Sequence, residues 1–123
     1  RPAEPKGFDD VARSLISGTI QRNVETTGNI CDAIITQQPG DLTFPIMHRL
    51  CGSGLVVSED EAMNAMAHAF SRLKLVAEPG GAVALASALY RKDEIEGDDV
   101  IVVISGGNVD AALFQTALSR FGA

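Results

Sequence analysis

Tryptophan is absent from this 123-residue chain, aromatic residues reach only 5%, and there are two cysteines and two histidines. With so few large rings, the core has to come from Ala, Val, Leu and Ile. Two cysteines make no disulfide framework. Cys31 and Cys51 have apolar neighbours and read as reduced, mostly buried thiols of a cytoplasmic protein. A zinc site would need paired Cys or Cys/His spacing, but His48 and His68 stand alone. A Cys-His nucleophile has no local support either. No apolar run reaches the ~18 residues of a membrane span, and no signal-peptide pattern opens the chain. Excess basic charge is also lacking. The balance is 10 basic against 16 acidic residues, net −6, which argues against an electrostatic nucleic-acid binder. What remains is an ordinary globular composition, 46% hydrophobic and 21% charged, with 12 glycines. That is the size of one domain, although one domain's worth of residues need not be a whole protein.

The opening Arg1 to Gly7 reads as a loop by its two prolines and glycine. Asp9 or Asp10 is placed to cap a helix over 11–17, which Gly18 stops. Residues 19–29 are polar and irregular. The apolar run 30–35 predicts a short helix, and 37–40 a turn. A second helix is expected over 42–50, capped by Asp41, with Pro45 in its first turn. Leu55-Val56-Val57 reads as a short strand. Ser58-Glu59-Asp60-Glu61 is a capping box opening a helix to about Leu73. Its stripe Met63, Met66, Phe70 and Leu73 predicts core packing. Residues 75–77 form a second short apolar segment. A helix follows from Gly80 to about Tyr90, apolar nearly all round and therefore buried on more than one side. Residues 91–99 are a charged loop. Val100 to Ile104 is a continuous β-branched run, expected to be a parallel strand covered on both faces. A final helix over 111–121 completes an α/β layered architecture.

Three places could carry chemistry. Ser105-Gly106-Gly107 leaves the C-terminal end of the predicted strand, where ligands of open α/β sheets bind. It has neither the Walker nor the GxGxxG spacing. Glu78-Pro79-Gly80-Gly81 makes a second strand-to-helix junction, with a carboxylate near a helix N-terminus. Glu4 and Asp10 form an acidic spot across a glycine-containing loop and could offer oxygen ligands to a hard cation. Taken singly, each is explained as well by capping, by a structural turn or by solvated charge.

The order of motifs is more specific. Glu-Pro-x-Gly-Phe-Asp-Asp opens the chain, followed by Ile-Cys-Asp-Ala, Leu-Thr-Phe-Pro-Ile and Val-Ser-Glu-Asp-Glu-Ala. Then come Arg-Leu-Lys-Leu-Val-Ala-Glu-Pro-Gly-Gly-Ala-Val-Ala-Leu-Ala and Val-Ile-Val-Val-Ile-Ser-Gly-Gly-Asn-Val-Asp. In this order the chain resembles the C-terminal third of a threonine dehydratase. These belong with the serine/threonine ammonia-lyases and serine racemases, pyridoxal-phosphate enzymes of fold type II, the tryptophan-synthase-β type. The resemblance covers essentially all 123 residues and is sharpest over 74–86 and 100–110.

The resemblance implies roles residue by residue. Ser105 matches the serine that hydrogen-bonds the pyridine nitrogen of the cofactor, beside Gly106. Glu78 matches a carboxylate near the cofactor ring. Ala33 falls where the family often has a glycine whose backbone passes the cofactor. Glu4 and Asp10, with the Phe8 carbonyl between them, match a divalent-cation site for Mg²⁺, Ca²⁺ or Mn²⁺. The implied reaction is loss of water from L-threonine or L-serine, leaving a 2-oxo acid and ammonia. Serine racemase or a related ammonia-lyase is the alternative, and a free-standing α/β module holding an anion at Ser105-Gly106-Gly107 is the alternative from another class. The family's covalent lysine and phosphate loop have no match, since Lys6, Lys74 and Lys92 lack that setting. The expectation is therefore that residues 1–123 are the C-terminal part of a larger catalytic domain, without a regulatory domain, inactive alone and prone to self-associate. The whole protein is expected to be a cytoplasmic homo-oligomer acting on a small amino acid, with no nucleic-acid or membrane partner.

Overall fold

The structure, a computed structural model, describes residues 1–122. Strand β1 (Ala3–Pro5) pairs in parallel with β2 (Leu55–Val57), in the register Ala3 to Leu55 and Pro5 to Val57. The described residues also form five α-helices, of which α4 and α1 pack on this pair: α1 (Asp10–Ser17), α2 (Phe44–Leu50), α3 (Glu59–His68), α4 (Pro79–Tyr90) and α5 (Ala111–Phe121). Single 3-10 turns lie at Asp32–Ile34 and Lys92–Glu94. The expected opening loop is thus partly a strand, because Leu55-Val56-Val57 offers it a ladder that no local pattern announces. Its pairing continues at both ends, with Leu55 N–H donating to the Pro2 carbonyl at 2.9 Å and Lys6 N–H to the Val57 carbonyl at 2.8 Å.

Helix α1 stops where expected. Gly18 adopts φ 74°, a left-handed conformation open to glycine at little cost, and its N–H bonds the Ser14 carbonyl. Its start is different. Asp9 makes no side-chain cap bond. The turn from Pro5 to Phe8, closed by Phe8 N–H donating to the Pro5 carbonyl at 3.0 Å, brings Glu4 of β1 over the first turn instead. The Glu4 carboxylate accepts from the Val11 and Ala12 amides at 3.0 and 2.7 Å. Helix α2 begins two residues later than predicted, at Phe44, with Pro45 in its first turn and Thr43 rather than Asp41 at the cap position.

Helix α3 opens on the predicted capping box. Ser58 Oγ accepts from the Glu61 amide, and Glu61 Oε2 from the Ser58 amide at 2.8 Å. Its regular part ends at His68, and the chain widens into a π-turn over Ala69–Leu73 that closes on Lys74 at φ 62°. This change of pitch divides the predicted stripe. Met63 and Met66 are buried, whereas Phe70 and Leu73 are 40% and 55% exposed. Phe70 instead meets Phe114 of α5 edge-on, with ring centroids 5.4 Å apart.

Helix α4 lies in the core as its composition demands, with Gly80, Gly81, Ala82, Val83, Ala86 and Ser87 buried. Around it sit Met66, Val57, Cys31 and Ala117. Both cysteines are free. Cys31 is fully buried, and burial followed by the nearby Glu59 and Asp32 carboxylates pushes its thiol up to about 12, whereas Cys51 is only half-buried.

The expected strand over Val100–Ile104 is not one, and the apolar segment 75–77 forms none either. Leu75 and Val76 are exposed, and Val100 to Ile104 makes no ladder with any described residue. Ile104 packs against the core, but Ile101 and Val103 are 95% and 67% exposed. The β-branched run carries the propensity of a doubly covered strand, yet a strand exists only when a neighbour accepts and donates along its edge. No helix among the described residues is long and apolar enough to cross a membrane.

Candidate functional site

The Ser-Gly-Gly turn and the Glu-Pro-Gly-Gly junction dock onto each other. The Glu78 N–H donates to the Gly106 carbonyl at 3.1 Å, and the Gly107 Cα lies so near the Val76 carbonyl that a Cβ would approach its oxygen to 2.6 Å. A Cβ on Gly106 would overlap the Glu78 carboxylate, and one on Gly81 would overlap the Gly106 backbone. These glycines are required by close approach. They let the Ser105-Gly106-Gly107 turn lie directly on the first turn of α4, with Glu78 alongside. Gly80 faces the turn carrying Ala33, whose methyl would stand 3.4 Å from a Cβ at that glycine. Ser105 and Ala33 are exposed and Glu78 is half-buried. The four residues Ala33, Glu78, Ser105 and Gly106, from three separate segments, therefore gather at the N-terminal end of α4.

The turn bearing Ala33 is held by two residues outside the motifs that point to the site. Glu59 Oε1 accepts from the Ile30 amide at 2.8 Å, and Asn29 Oδ1 from the Cys31 amide at 2.8 Å. The only advance signal was that Glu59 lies inside the capping box. Nothing marked Asn29.

The acidic spot lies at the start of α1. Glu4 is buried, and its carboxyl is pushed up to about 7 by burial, opposed by the Ala12 and Val11 amides, with the nearby Asp10 and Asp9 charges adding to the rise. Asp10 is 1% exposed and is also raised by burial, against the hydrogen bond from Asn23. Asn23 Nδ2 donates to Asp10 Oδ1 at 2.7 Å, while Asp10 Oδ2 is buried without a partner. Phe8 is buried in the turn between the two acids. Among the described residues no cluster of three His, Cys, Asp or Glu side chains is arranged for a metal ion, so a cation here would rest on two carboxylates and backbone oxygen. The residues suit one. Two desolvated, neighbouring carboxylates and an orphaned buried oxygen leave negative charge that a hard cation neutralises.

A family model described as pyridoxal-phosphate dependent enzyme matches residues 2–107. The chain belongs to this family. It is 41% identical over 120 residues to a serine racemase of Dictyostelium discoideum, covering 95% of this chain and 37% of that protein. It is 35% identical over 116 residues to an L-threo-3-hydroxyaspartate ammonia-lyase of Saccharomyces cerevisiae, covering 94% and 35%. The crystal structure of T.th. threonine deaminase superposes with a TM-score of 0.81 at 36% identity, over 87% of this chain and 36% of that one. The chain thus spans little more than a third of the length of the curated relatives it matches. Its fold is the α/β fold of the type II pyridoxal-phosphate enzymes. The cofactor suits the gathered residues: an exposed hydroxyl and a half-buried carboxylate flank a turn whose glycines leave the backbone bare for close approach.

Proposed function

We propose that the protein carrying this chain is a pyridoxal-phosphate ammonia-lyase that removes water from L-threonine or L-serine, and that these residues form the ring-nitrogen side of its site. The observation that carries the reading is the docking of Ser105-Gly106 onto Glu78 and the start of α4. When bound, pyridoxal phosphate supplies the electron sink that lets an amino acid lose its α-proton. The Ser105 hydroxyl offers the ring nitrogen a neutral partner and leaves it largely unprotonated. That weakens the sink and lets loss of the β-hydroxyl compete against transamination. Glu78 would lie near the ring, with Gly106 keeping the turn close to Glu78 and the Ala33 backbone passing the cofactor. Glu4, Asp10 and the Phe8 carbonyl hold a divalent cation (Mg²⁺, Ca²⁺ or Mn²⁺) that stabilises the base of α1.

The 41% identity to a serine racemase supports racemisation as a second reading. Both reactions begin with loss of the same α-proton, and the residues that decide between them lie beyond Ser105 and Glu78. Incubating the intact protein with L-serine and L-threonine separates them. Pyruvate and 2-oxobutanoate are expected. D-serine alone would establish the racemase reading, and no turnover of either substrate would overturn both.

The settings of the three lysines here support a covalent lysine elsewhere in the whole protein. Lys74 donates to the Ser71 carbonyl at 2.8 Å, Lys6 lines a separate opening with Asn29 and Glu59, and Lys92 starts a 3-10 turn. Residues 1–123 alone are therefore expected neither to hold pyridoxal phosphate tightly nor to deaminate threonine. An absorbance band near the visible edge on reconstitution would contradict that. The uncovered run through Val100, Ile101 and Val103, with Leu75 and Val76, supports self-association of these residues in isolation, which sedimentation would read directly. We place the intact protein as a cytoplasmic homo-oligomer.

A further inference from the structure

We propose that Asn23 is a positioning residue that orients Asp10 for a divalent cation and carries the presence of that cation to the turn bearing Ala33; this rests on the cation reading of Glu4 and Asp10. Asn23 is 4% exposed although it lies in a polar, irregular segment. Its side-chain amide is used at every corner. Nδ2 donates to Asp10 Oδ1 at 2.7 Å and to the Thr36 carbonyl at 2.7 Å, and Oδ1 accepts from the Arg13 guanidinium. Its backbone N–H donates to the Gln37 carbonyl at 2.8 Å. Two acceptors on one side and a cation on the other leave the amide a single sensible orientation.

Two consequences follow from this geometry. The first concerns Asp10. With Oδ1 held by Asn23, the carboxylate is turned so that Oδ2 is the buried oxygen without a partner. That is how an outer residue presents a ligand atom to a metal, by tying down the other oxygen. The second concerns the link. Thr36 lies two residues beyond the Asp32–Ile34 turn, and its own N–H donates to the Ile34 carbonyl at 3.2 Å. One amide group therefore joins the acid at the start of α1 to the end of the turn that carries Ala33. A cation that draws Asp10 towards itself pulls on Asn23 and, through it, on residues 31–37. Removing the cation frees Asp10 and slackens the same link.

The test uses the intact protein with pyridoxal phosphate bound and Mn²⁺ alone as the probe. Free Mn²⁺ is read by its paramagnetic resonance signal, and amide hydrogen exchange is followed over residues 31–37. In the wild type, Mn²⁺ is expected to bind and to slow exchange across 31–37. Asn23→Ala is expected to weaken Mn²⁺ binding roughly 10- to 100-fold and to abolish the slowing even at saturating Mn²⁺. Asn23→Ser, which keeps one donor but is too short to reach both acceptors, serves where the alanine variant folds poorly and is expected to show the same two losses. If the variants bind Mn²⁺ as tightly as the wild type, or exchange faster by the same factor with and without Mn²⁺, Asn23 is only a structural strut and the proposal falls. If the wild type itself leaves the Mn²⁺ signal unchanged, the cation reading falls with it.

Discussion

The two ends of the candidate site are built differently. The acidic end is local and closed. Glu4, Asp10 and Asn23 lie within 20 residues of one another and are buried, and their hydrogen bonds run to α1 and to one another, with Asn23 alone reaching out to the Thr36 and Gln37 carbonyls. The cofactor-facing end is distant and open. Ala33, Glu78 and Ser105 come from three separate segments, and next to Ser105 runs an extended β-branched stretch with three of its side chains, Val100, Ile101 and Val103, in solvent. Local hydrogen bonds can finish a small polar site by themselves. A site at a strand end is finished only when the strand has neighbours.

The largest effect that would break this comparison is expected at Gly81. Gly81→Ala drives a methyl into the Gly106 backbone, and overpacking of this kind costs about 3 kcal/mol. Thermal melting of the intact protein should show it. A melting point equal to wild type would mean that the two junctions are not in the contact described.

The next effect separates the two ends by pH. Glu4 has its carboxyl raised to about 7 from an ordinary 4.5, so the folded chain binds that proton more tightly than the unfolded one. The stabilisation is complete below 4.5 and is lost as pH rises through 7. Protein freed of divalent cations should therefore gain on the order of 2 kcal/mol between pH 8 and pH 5, and saturating Mn²⁺ should flatten the gain. A melting point that falls steadily over that range in the cation-free protein would refute it.

Glu61 carries the opposite sign. Burial works to raise its carboxyl, but Arg91 and the Ser58 amide outweigh burial and hold it below 4.5. Arg91 meets it through two nitrogens, at 2.9 and 2.8 Å. Its contribution is present above 4.5 and is lost as pH falls through the lowered value. Both side chains are about a quarter exposed, so Glu61→Ala should cost only about 1 kcal/mol, shared between the pair and the cap. The loss should shrink in acid.

The smallest stability change belongs to Ser105. Ser105→Ala is expected to move stability by less than about 0.5 kcal/mol, because the side chain is exposed. Pyridoxal-phosphate affinity of the intact protein should nevertheless fall about tenfold, which corresponds to about 1.4 kcal/mol. Unchanged affinity would remove Ser105 from the site.

Much of the fold was legible beforehand because its signals are local. The capping box at Ser58 and Glu61, Pro79 in the first turn of α4 and Gly18 after α1 each act within four residues. The apolar circumference of α4 announced its burial. The errors fall where a partner is remote. Glu4 rather than Asp9 caps α1, since a strand and a turn deliver it. Ala3–Pro5 is a strand because Leu55–Val57 accepts it. Phe70 and Leu73 leave the core because a π-turn shifts the helical pitch. Of the site, the motifs pointed to Ser105, Gly106, Glu78 and Ala33, and the fold gathers them. Buried Asn23 and half-buried Asn29 carry no such signal, because an asparagine in an irregular segment has no periodicity to betray it.

The sequence by itself therefore determined the helices, the tight glycine turns and the family, since each depends on residues close along the chain or on their order. Only the tertiary structure decided which carboxylate caps α1, which oxygen of Asp10 is left bare, and that Val100–Ile104 finds no ladder among the described residues. Those outcomes depend on which groups meet across long separations. A hydrogen bond or a strand ladder is a property of two partners, and neither partner's local sequence specifies the other.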